Sequence, residues 1–554
     1  IFGGSIGGPV FFPRFGEGGP VLYNGRNKTF FFFNFQGLRT SESRAVTSTV
    51  LTREARQGIF RYVIGGRNSP SVVDRSGNVL PGVRVGSYNI AQNDPQGIGL
   101  DPRVLSVINI TPLPNDFSVG DGLNTAGFTF VAPQREAQED YVFRVDHVIN
   151  STNTVFVRYA HGRQDTLCDF VNAGWQAFPN TPCTVNTIRR PRNLAASWRT
   201  SPSPSITNEF VAGFNRFTFS FNNPDPNGPN NPPFTFGLIT DPLPYFQSVY
   251  NARTLTTYQF VDNLTYVRGS HTIKGGINFR YQKHFDNRGS IAGSQPLPLA
   301  DFSTGVNTVD PIAFRLPADI NTTFDRPTLQ SLINIMLGRI GNISQGFVAA
   351  SDQQWAPGGT RFLFTAIYPE YDFYVQDTWK IRPTLTLDYG LRWEVRLSPR
   401  GGKGSRVFRP NRPIRVGEPP ANDLRWVEGK LFDDDWNNFG PTVGLAWDPF
   451  GDGKTSLRAN YRLAYDRMNT FVLSSSIFQS TPGLTLAVTE QSFGQNGGRL
   501  RQGLPALAPP ASTTPAQLRQ LPPFGVRSIT VTDPSMSSPQ THQWGLSLQR
   551  GIGW

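Results

Sequence analysis

The stretch Thr384-Leu-Thr-Leu-Asp-Tyr-Gly-Leu-Arg-Trp-Glu-Val395 decides the fold. Leu385, Leu387, Tyr389, Leu391, Trp393 and Val395 share one face, and Thr384, Thr386, Asp388, Gly390, Arg392 and Glu394 share the other. Side chains alternate across a β-strand, so this run is a strand with one apolar and one polar face. Working outward, Thr272–Gln282 repeats the pattern, setting Ile273, Ile277, Phe279 and Tyr281 against Lys274, Asn278 and Arg280. Ser456–Asp466 repeats it again, with Leu457, Tyr461 and Leu463 opposite Arg458, Asn460 and Arg462. Tyr141–Val145 and Trp544–Leu548 are shorter examples. A soluble sandwich also alternates, but its strands average about five or six residues. These runs are longer, and charge recurs along the whole polar face, as it does where that face lines a wet lumen.

The connections carry a second signal. Strand-like segments pair through short turns at Asn150–Asn153, Ser201–Ser205, Arg268–Ser270, Ile381–Pro383 and Phe450–Lys454. Long irregular stretches separate the pairs: 41–138, 164–191, 222–253, 285–365, 399–437 and 468–538. Short turns on one side and long loops on the other describe an all-β fold, a transmembrane antiparallel β-barrel with extracellular loops. Tyr266, Trp379 and Trp447 near the turns fit an interfacial aromatic girdle. Within the loops, Thr52–Val63 and Thr328–Gly338 read as short helices. The long strands number about thirteen: 2–12, 28–40, 139–149, 153–163, 192–201, 206–221, 254–267, 271–284, 370–381, 384–397, 439–449, 454–467 and 540–550. Single-chain bacterial barrels have even counts, so either the list is off by one strand or residues 1–554 are part of a larger barrel; the second reading is preferred.

Composition narrows the classes. The 55 Gly and 46 Pro suit turns and loops, and the 43 Phe suit faces turned to lipid. No apolar run is long enough for a transmembrane helix. The formal charge of +12 comes from Lys and Arg scattered along the chain, without a basic block of the nucleic-acid kind. Cys168 and Cys183 read as a local disulfide in an oxidising compartment, with two unpaired buried thiols as the alternative. Gly3-Gly-Ser-Ile-Gly7 satisfies the nucleophile-elbow pattern, but Pro9 and extended Phe-rich sequence follow where a helix is required. Gly453-Lys454-Thr455 lacks the first glycine of a P-loop and reads as a hairpin turn. Asp433-Asp434-Asp435 reads as a solvated loop. The expectation is therefore no enzyme activity, no cofactor and no metal.

Several segments together resemble the barrel of Oar-like TonB-dependent outer-membrane transporters, the group with a carboxypeptidase-regulatory-like domain. Phe2-Gly-Gly-Ser-Ile-Gly-Gly-Pro9, followed by Asn27-Lys-Thr-Phe-Phe-Phe-Phe-Asn-Phe-Gln-Gly-Leu-Arg39, is similar to that family's first barrel hairpin. Pro112-Leu-Pro-Asn115 and Tyr141-Val-Phe-Arg-Val-Asp-His147 with Phe156-Val-Arg-Tyr159 come next in family order. Asn208-Glu-Phe-Val-Ala-Gly-Phe-Asn-Arg216, Asp262-Asn-Leu-Thr265 with Gly269-Ser-His-Thr-Ile-Lys-Gly-Gly276, and Val375-Gln-Asp-Thr-Trp379 continue the series. The resemblance implies a 22-stranded, plugged barrel in the cell outer membrane. It also implies a plug, a TonB-contacting segment and further strands outside residues 1–554, and an unknown extracellular ligand.

On that reading the polar faces line the lumen with Arg144, Asp146, Lys274, Arg280, Asp388, Arg392, Glu394, Arg458 and Arg462. These residues either hydrogen-bond the plug or simply hydrate the lumen and pair with one another. Two other functions fit the same strands: a passive porin-like channel without a plug, and a surface β-rich binding or adhesion protein. Asp262 and Asp377 fall on otherwise apolar faces near the turns, without a functional account.

Overall fold

The computed structural model describes residues 1–13, 22–222, 232–243, 251–289, 291–402, 404–413, 425–470, 481–520 and 532–552. Thirteen strands form one continuous antiparallel path in chain order. They are β1 (Phe2–Pro9), β2 (Thr29–Leu51), β3 (Thr125–Asn150), β4 (Asn153–Leu167), β5 (Asn186–Ser203), β6 (Ile206–Asn222) and β7 (Asn251–Arg268). There follow β8 (His271–Arg288), β9 (Phe362–Arg382), β10 (Leu385–Arg396), β11 (Phe439–Trp447), β12 (Thr455–Tyr465) and β13 (Gln540–Arg550). Short strands at Asp116–Gly120 and Arg400–Gly401 attach to β3 and β9. Among the described residues β1 pairs only with β2, and β13 only with β12, so both sheet edges are open.

The turns explain why the hairpins are tight. Asn150 Oδ1 accepts hydrogen bonds from Thr152 N at 3.0 Å and Asn153 Nδ2 at 2.9 Å, a side-chain mimic of a backbone turn. Between β7 and β8, Gly269 takes a positive φ of 57° that an L side chain resists. Between β11 and β12, the Asp448 carboxylate accepts from the N–H groups of Phe450, Gly451 and Gly453. Gly453-Lys454-Thr455 thus belongs to a hairpin turn.

Register rows place like residues side by side. Ile277, Phe373, Trp393 and Phe439 form one row across β8–β11. Phe373 and Trp393 stack at 5.6 Å, and Trp393 and Phe439 at 5.7 Å. Phe260, Phe279 and Tyr371 form another row, with centroids 6.2 and 5.2 Å apart. Phe260, Phe373 and Phe439 are exposed and Phe279, Tyr371 and Trp393 half-buried, and all lie on the apolar face read from the sequence. Asp262 and Asp377 also lie on that face, but each has a partner. Asn208 Nδ2 donates to Asp262 at 2.6 Å. Asp377 Oδ2 meets His271 Nδ1 at 2.7 Å and accepts from the Tyr389 hydroxyl at 2.9 Å.

Two expectations need correction. β2 and β3 run 23 and 26 residues, well past the expected limits of 28–40 and 139–149. Their extra lengths pair with each other as far as Leu51 opposite Thr125, so each satisfies the other's backbone groups. The extension has no long apolar face, which hid it in the sequence. Thr52–Val63 is not a helix: one helical turn, Arg53–Arg56, ends at Gly58 with φ 77°. Ile59–Val63 then pairs as a strand with Val85–Asn89, burying Phe60 and Tyr62.

The long connections are less irregular than the sequence suggests. Helices α1 (Pro102–Ile108) and α2 (Asp325–Met336) pack with residues from four connections into one core. That core includes Phe60, Ile90, Phe236, Phe302, Leu332 and Leu500. Asp101 caps α1 by accepting from Arg103 N at 2.9 Å, with Pro102 in the first turn.

Candidate functional site

The polar face is the enclosed one, and β9 shows why. Near the turn, Tyr371, Phe373 and Val375 put apolar side chains on the exposed face, while Glu370, Asp372 and Tyr374 take the other. Beyond Pro369 the assignment reverses. Phe362, Phe364, Ala366 and Tyr368 lie on the same side as Asp372 but are buried under the loops, together with Val407, Phe408, Leu431 and Leu484. The connection bearing the disulfide does the same at β2–β3, where Phe178 packs with Val50 and Phe128. Cys168 and Cys183 are bonded, with Cα atoms 4.9 Å apart. The loop layer therefore closes over the polar side of the sheet.

Directly beneath this apolar cover lies a charged network. Arg280 reaches Glu370 at 3.3 Å. Arg392 reaches Asp372 at 3.1 Å and Glu394 at 2.6 Å. Arg396 pairs with Asp372 and lies 2.8 Å from Glu394. Arg467, just past β12, reaches Glu370 at 3.0 Å. Asn278 donates to Asp372 at 2.7 Å. The Asp372 side chain is 2% exposed, so its charge depends on these partners. The network brings together Arg280, Arg392 and Glu394 of the expected residues. The sequence reading missed Glu370, Asp372, Arg396 and Arg467. The alternation of 370–381 already put Glu370 and Asp372 on the polar face; Arg467 closed the expected strand 454–467, but β12 ends at Tyr465, and Arg467 lies two residues beyond it.

The other expected residues sit elsewhere on the same face. Arg144 and Asp146 pair with each other at 2.7 Å, and the guanidinium lies 4.1 Å from the Phe156 ring. Asp388 accepts from the Thr378 hydroxyl. Arg458 Nε is 3.3 Å from Ser456 Oγ. Lys274 and Arg462 share a register row through Gln376, Gly390 and Thr442, and both are exposed on the polar face. Arg462 and Arg392 line a recess of about 280 Å³ with Tyr374 and Thr442.

Within the loop core, Arg499 grips Asp94 with two bonds of 2.7 and 3.1 Å, both side chains being at most 2% exposed. Burial alone would raise the Asp94 carboxyl. Hydrogen bonds from Arg499, Gln96 N and Gly99 N, with the Arg499 charge, hold it below the usual carboxylate range. Arg339 bonds Asn334 at 2.9 Å and Thr308 O at 2.7 Å. Burial, then the charge of Arg499, pushes Arg339 down to about 10. Asp433 and Asp434 in the fifth long connection are not simply solvated, since they meet Arg409 and Lys430 at 2.7 Å each. No group of three or more His, Cys, Asp or Glu side chains among the described residues could hold a metal ion.

A family model described as "Outer membrane beta barrel domain" matches residues 1–554. A comparison with curated proteins gave no match. Among solved structures, the chain is similar to the outer membrane transporter YddB from Escherichia coli. That match has 10% identity and a TM-score of 0.38, covering 83% of this chain and 41% of that one. The ferripyoverdine receptor of Pseudomonas aeruginosa matches at 11% identity and TM-score 0.34, over 62% of this chain and 39% of that one. The copper transporter OprC matches at 12% identity and TM-score 0.31, over 80% and 47%. The chain thus spans less than half the length of each of these proteins.

Proposed function

Because the chain belongs to the outer membrane β-barrel domain family, we propose that it is the barrel wall of a TonB-dependent receptor that takes up a ligand. The protein resides in the outer membrane. The observation that carries the proposal is the enclosed charged wall. Three carboxylates and four guanidiniums pair on the inward side, under loops that share their own apolar core. Paired charges leave a lumen face able to hydrogen-bond a plug, and the folded loops offer a shaped outer surface for a ligand.

In this reading Arg144, Asp146, Lys274, Arg280, Asp388, Arg392, Glu394, Arg458 and Arg462 line the lumen. Lys274 and Arg462, exposed and outside the paired network, are the first candidates for plug contacts. The plug and the segment that contacts TonB lie outside residues 1–554. Further strands pair the open edges of β1 and β13, since an edge in lipid would leave N–H and C=O groups unpaired. The role has no catalytic step and needs no cofactor.

Planar-bilayer recording of the full-length protein separates this from a passive channel without requiring the ligand. A plugged barrel carries no steady current at rest and conducts only after the plug is removed. Steady ohmic conductance of the untreated full-length protein would overturn the proposal in favour of the open channel.

A further inference from the structure

Pro112-Leu-Pro-Asn115 takes no part in the charged wall, yet both of its ends are tied down. Arg56 Nη1 donates to Thr111 O at 2.7 Å, and Arg56 Nη2 donates to Pro112 O. Asn115 Nδ2 donates to Thr129 O at 2.9 Å, while its Oδ1 accepts from Thr129 N at 2.7 Å. Between these anchors, Leu113 and Pro114 line a pocket of about 430 Å³. Phe117 adds further apolar surface, and a tight turn holds its ring in place. Asp74 Oδ1 accepts from Ser76 N at 2.8 Å and Asn78 N at 2.9 Å. Gly77 in that turn has a φ of 82°, and a Cβ there would lie 2.4 Å from the Phe117 ring. All the lining residues belong to the chain between β2 and β3.

The pocket also carries charge of both signs. Arg53 and Glu54 come from the helical turn, and Arg61 from the strand Ile59–Val63. Arg61 is committed: it donates to Leu123 O at 3.0 Å and meets Glu54 Oε2 at 3.4 Å. Glu54 Oε1 and the exposed Arg53 guanidinium have no hydrogen bond or ion pair among the described residues. An anion would answer only one of these groups, and so would a cation. We propose that the pocket binds a small zwitterion with an apolar side chain, of the dipeptide class. Its carboxylate pairs with Arg53, its ammonium with Glu54, and its side chain rests on Leu113, Pro114 and Phe117. Charge-assisted hydrogen bonds of this kind are the strong ones. The volume falls in the range of small-ligand sites, about 300–1,000 Å³. The inference is independent of what the barrel transports.

The test is calorimetric titration of the full-length protein in detergent. The probes are the dipeptide Ala-Leu, its N-acetylated form and its C-terminal amide. Free Ala-Leu should bind, and each blocked form should bind about tenfold more weakly. These three titrations probe both charges without any variant. Arg53→Gln should then bind the free and amidated forms equally, and Glu54→Gln the free and acetylated forms equally. Arg75→Gln, outside the pocket, should behave as the wild type. Heat-modifiable gel mobility reports that each variant is assembled. No binding of Ala-Leu, or equal binding of all three forms by the wild type, would overturn the proposal. Unchanged discrimination in both Arg53→Gln and Glu54→Gln would place the dipeptide elsewhere on the protein and also overturn it.

Discussion

Leu391→Lys should block assembly of the barrel, whereas Asn460→Lys should leave it almost intact. Leu391 lies between Val375 on β9 and Pro441 on β11, on the outward face and 45% exposed. In an outer-membrane protein that exposure is contact with acyl chains. A lysine at mid-bilayer depth costs roughly 2–4 kcal/mol. Asn460 sits opposite Gly444 on the polar face, in the row that contains Asp388. A lysine there meets water and a carboxylate, so its cost should stay below about 1 kcal/mol. The check is the urea midpoint of the heat-modifiable form of each full-length variant in lipid vesicles. Equal midpoints would contradict the face assignment.

Arg499→Ala should open the loop layer while leaving the sheet assembled. Asp94 is buried, and beside Arg499 it accepts from the backbone N–H groups of Gln96, Ile98 and Gly99, so loss of Arg499 strands a carboxylate in an apolar core. Breaking such a pair costs about 3–5 kcal/mol. The pH dependence should also reverse. In the wild type the Asp94 carboxyl is depressed by folding. Its contribution is therefore present above the ordinary carboxylate range and is lost as pH falls through and below it. Without Arg499, burial dominates and raises the carboxyl, so protection should be lost as pH rises. Hydrogen exchange of 85–108 and 325–340 at about pH 4 and about pH 7 reads both effects. Wild-type protection should be greater at the higher pH, and that of the variant at the lower.

The sheet was legible because its apolar and polar residues alternate over long runs and its hairpin turns carry Asn, Gly and Pro. All thirteen expected strands recur in the principal path, and the short turns fall where expected. The outer extensions of β2 and β3 were not legible. Thr40–Val50 alternates Ser, Thr, Glu and Arg with little apolar contrast, because this part has left the lipid. The loop core was partly legible: the apolar run of Thr328–Gly338 marks α2, observed over Asp325–Met336. What the run contacts was not, because Phe60, Phe236, Phe302 and Leu500 come together across hundreds of residues. The same holds for the charged wall. Alternation put Arg280, Arg392 and Glu394 on one face, but their pairing depends on β8, β9 and β10 lying in register. The partners of Asp262 and Asp377 were hidden for the same reason, since Asn208 and His271 belong to other strands.

The central claim is that alternate residues of this sheet face lipid and an aqueous lumen. Single cysteines at Asp372, Phe373, Tyr374 and Val375 of the full-length protein, spin-labelled in lipid vesicles, test it directly. Collision rates with oxygen, which partitions into lipid, and with a water-soluble nickel complex should alternate in opposite phase. Positions 373 and 375 should favour oxygen, and positions 372 and 374 should favour nickel or show neither collision where the wall is packed. Uniform accessibility to the nickel complex at all four positions would mean that the sheet is not in the membrane, and the account would be wrong.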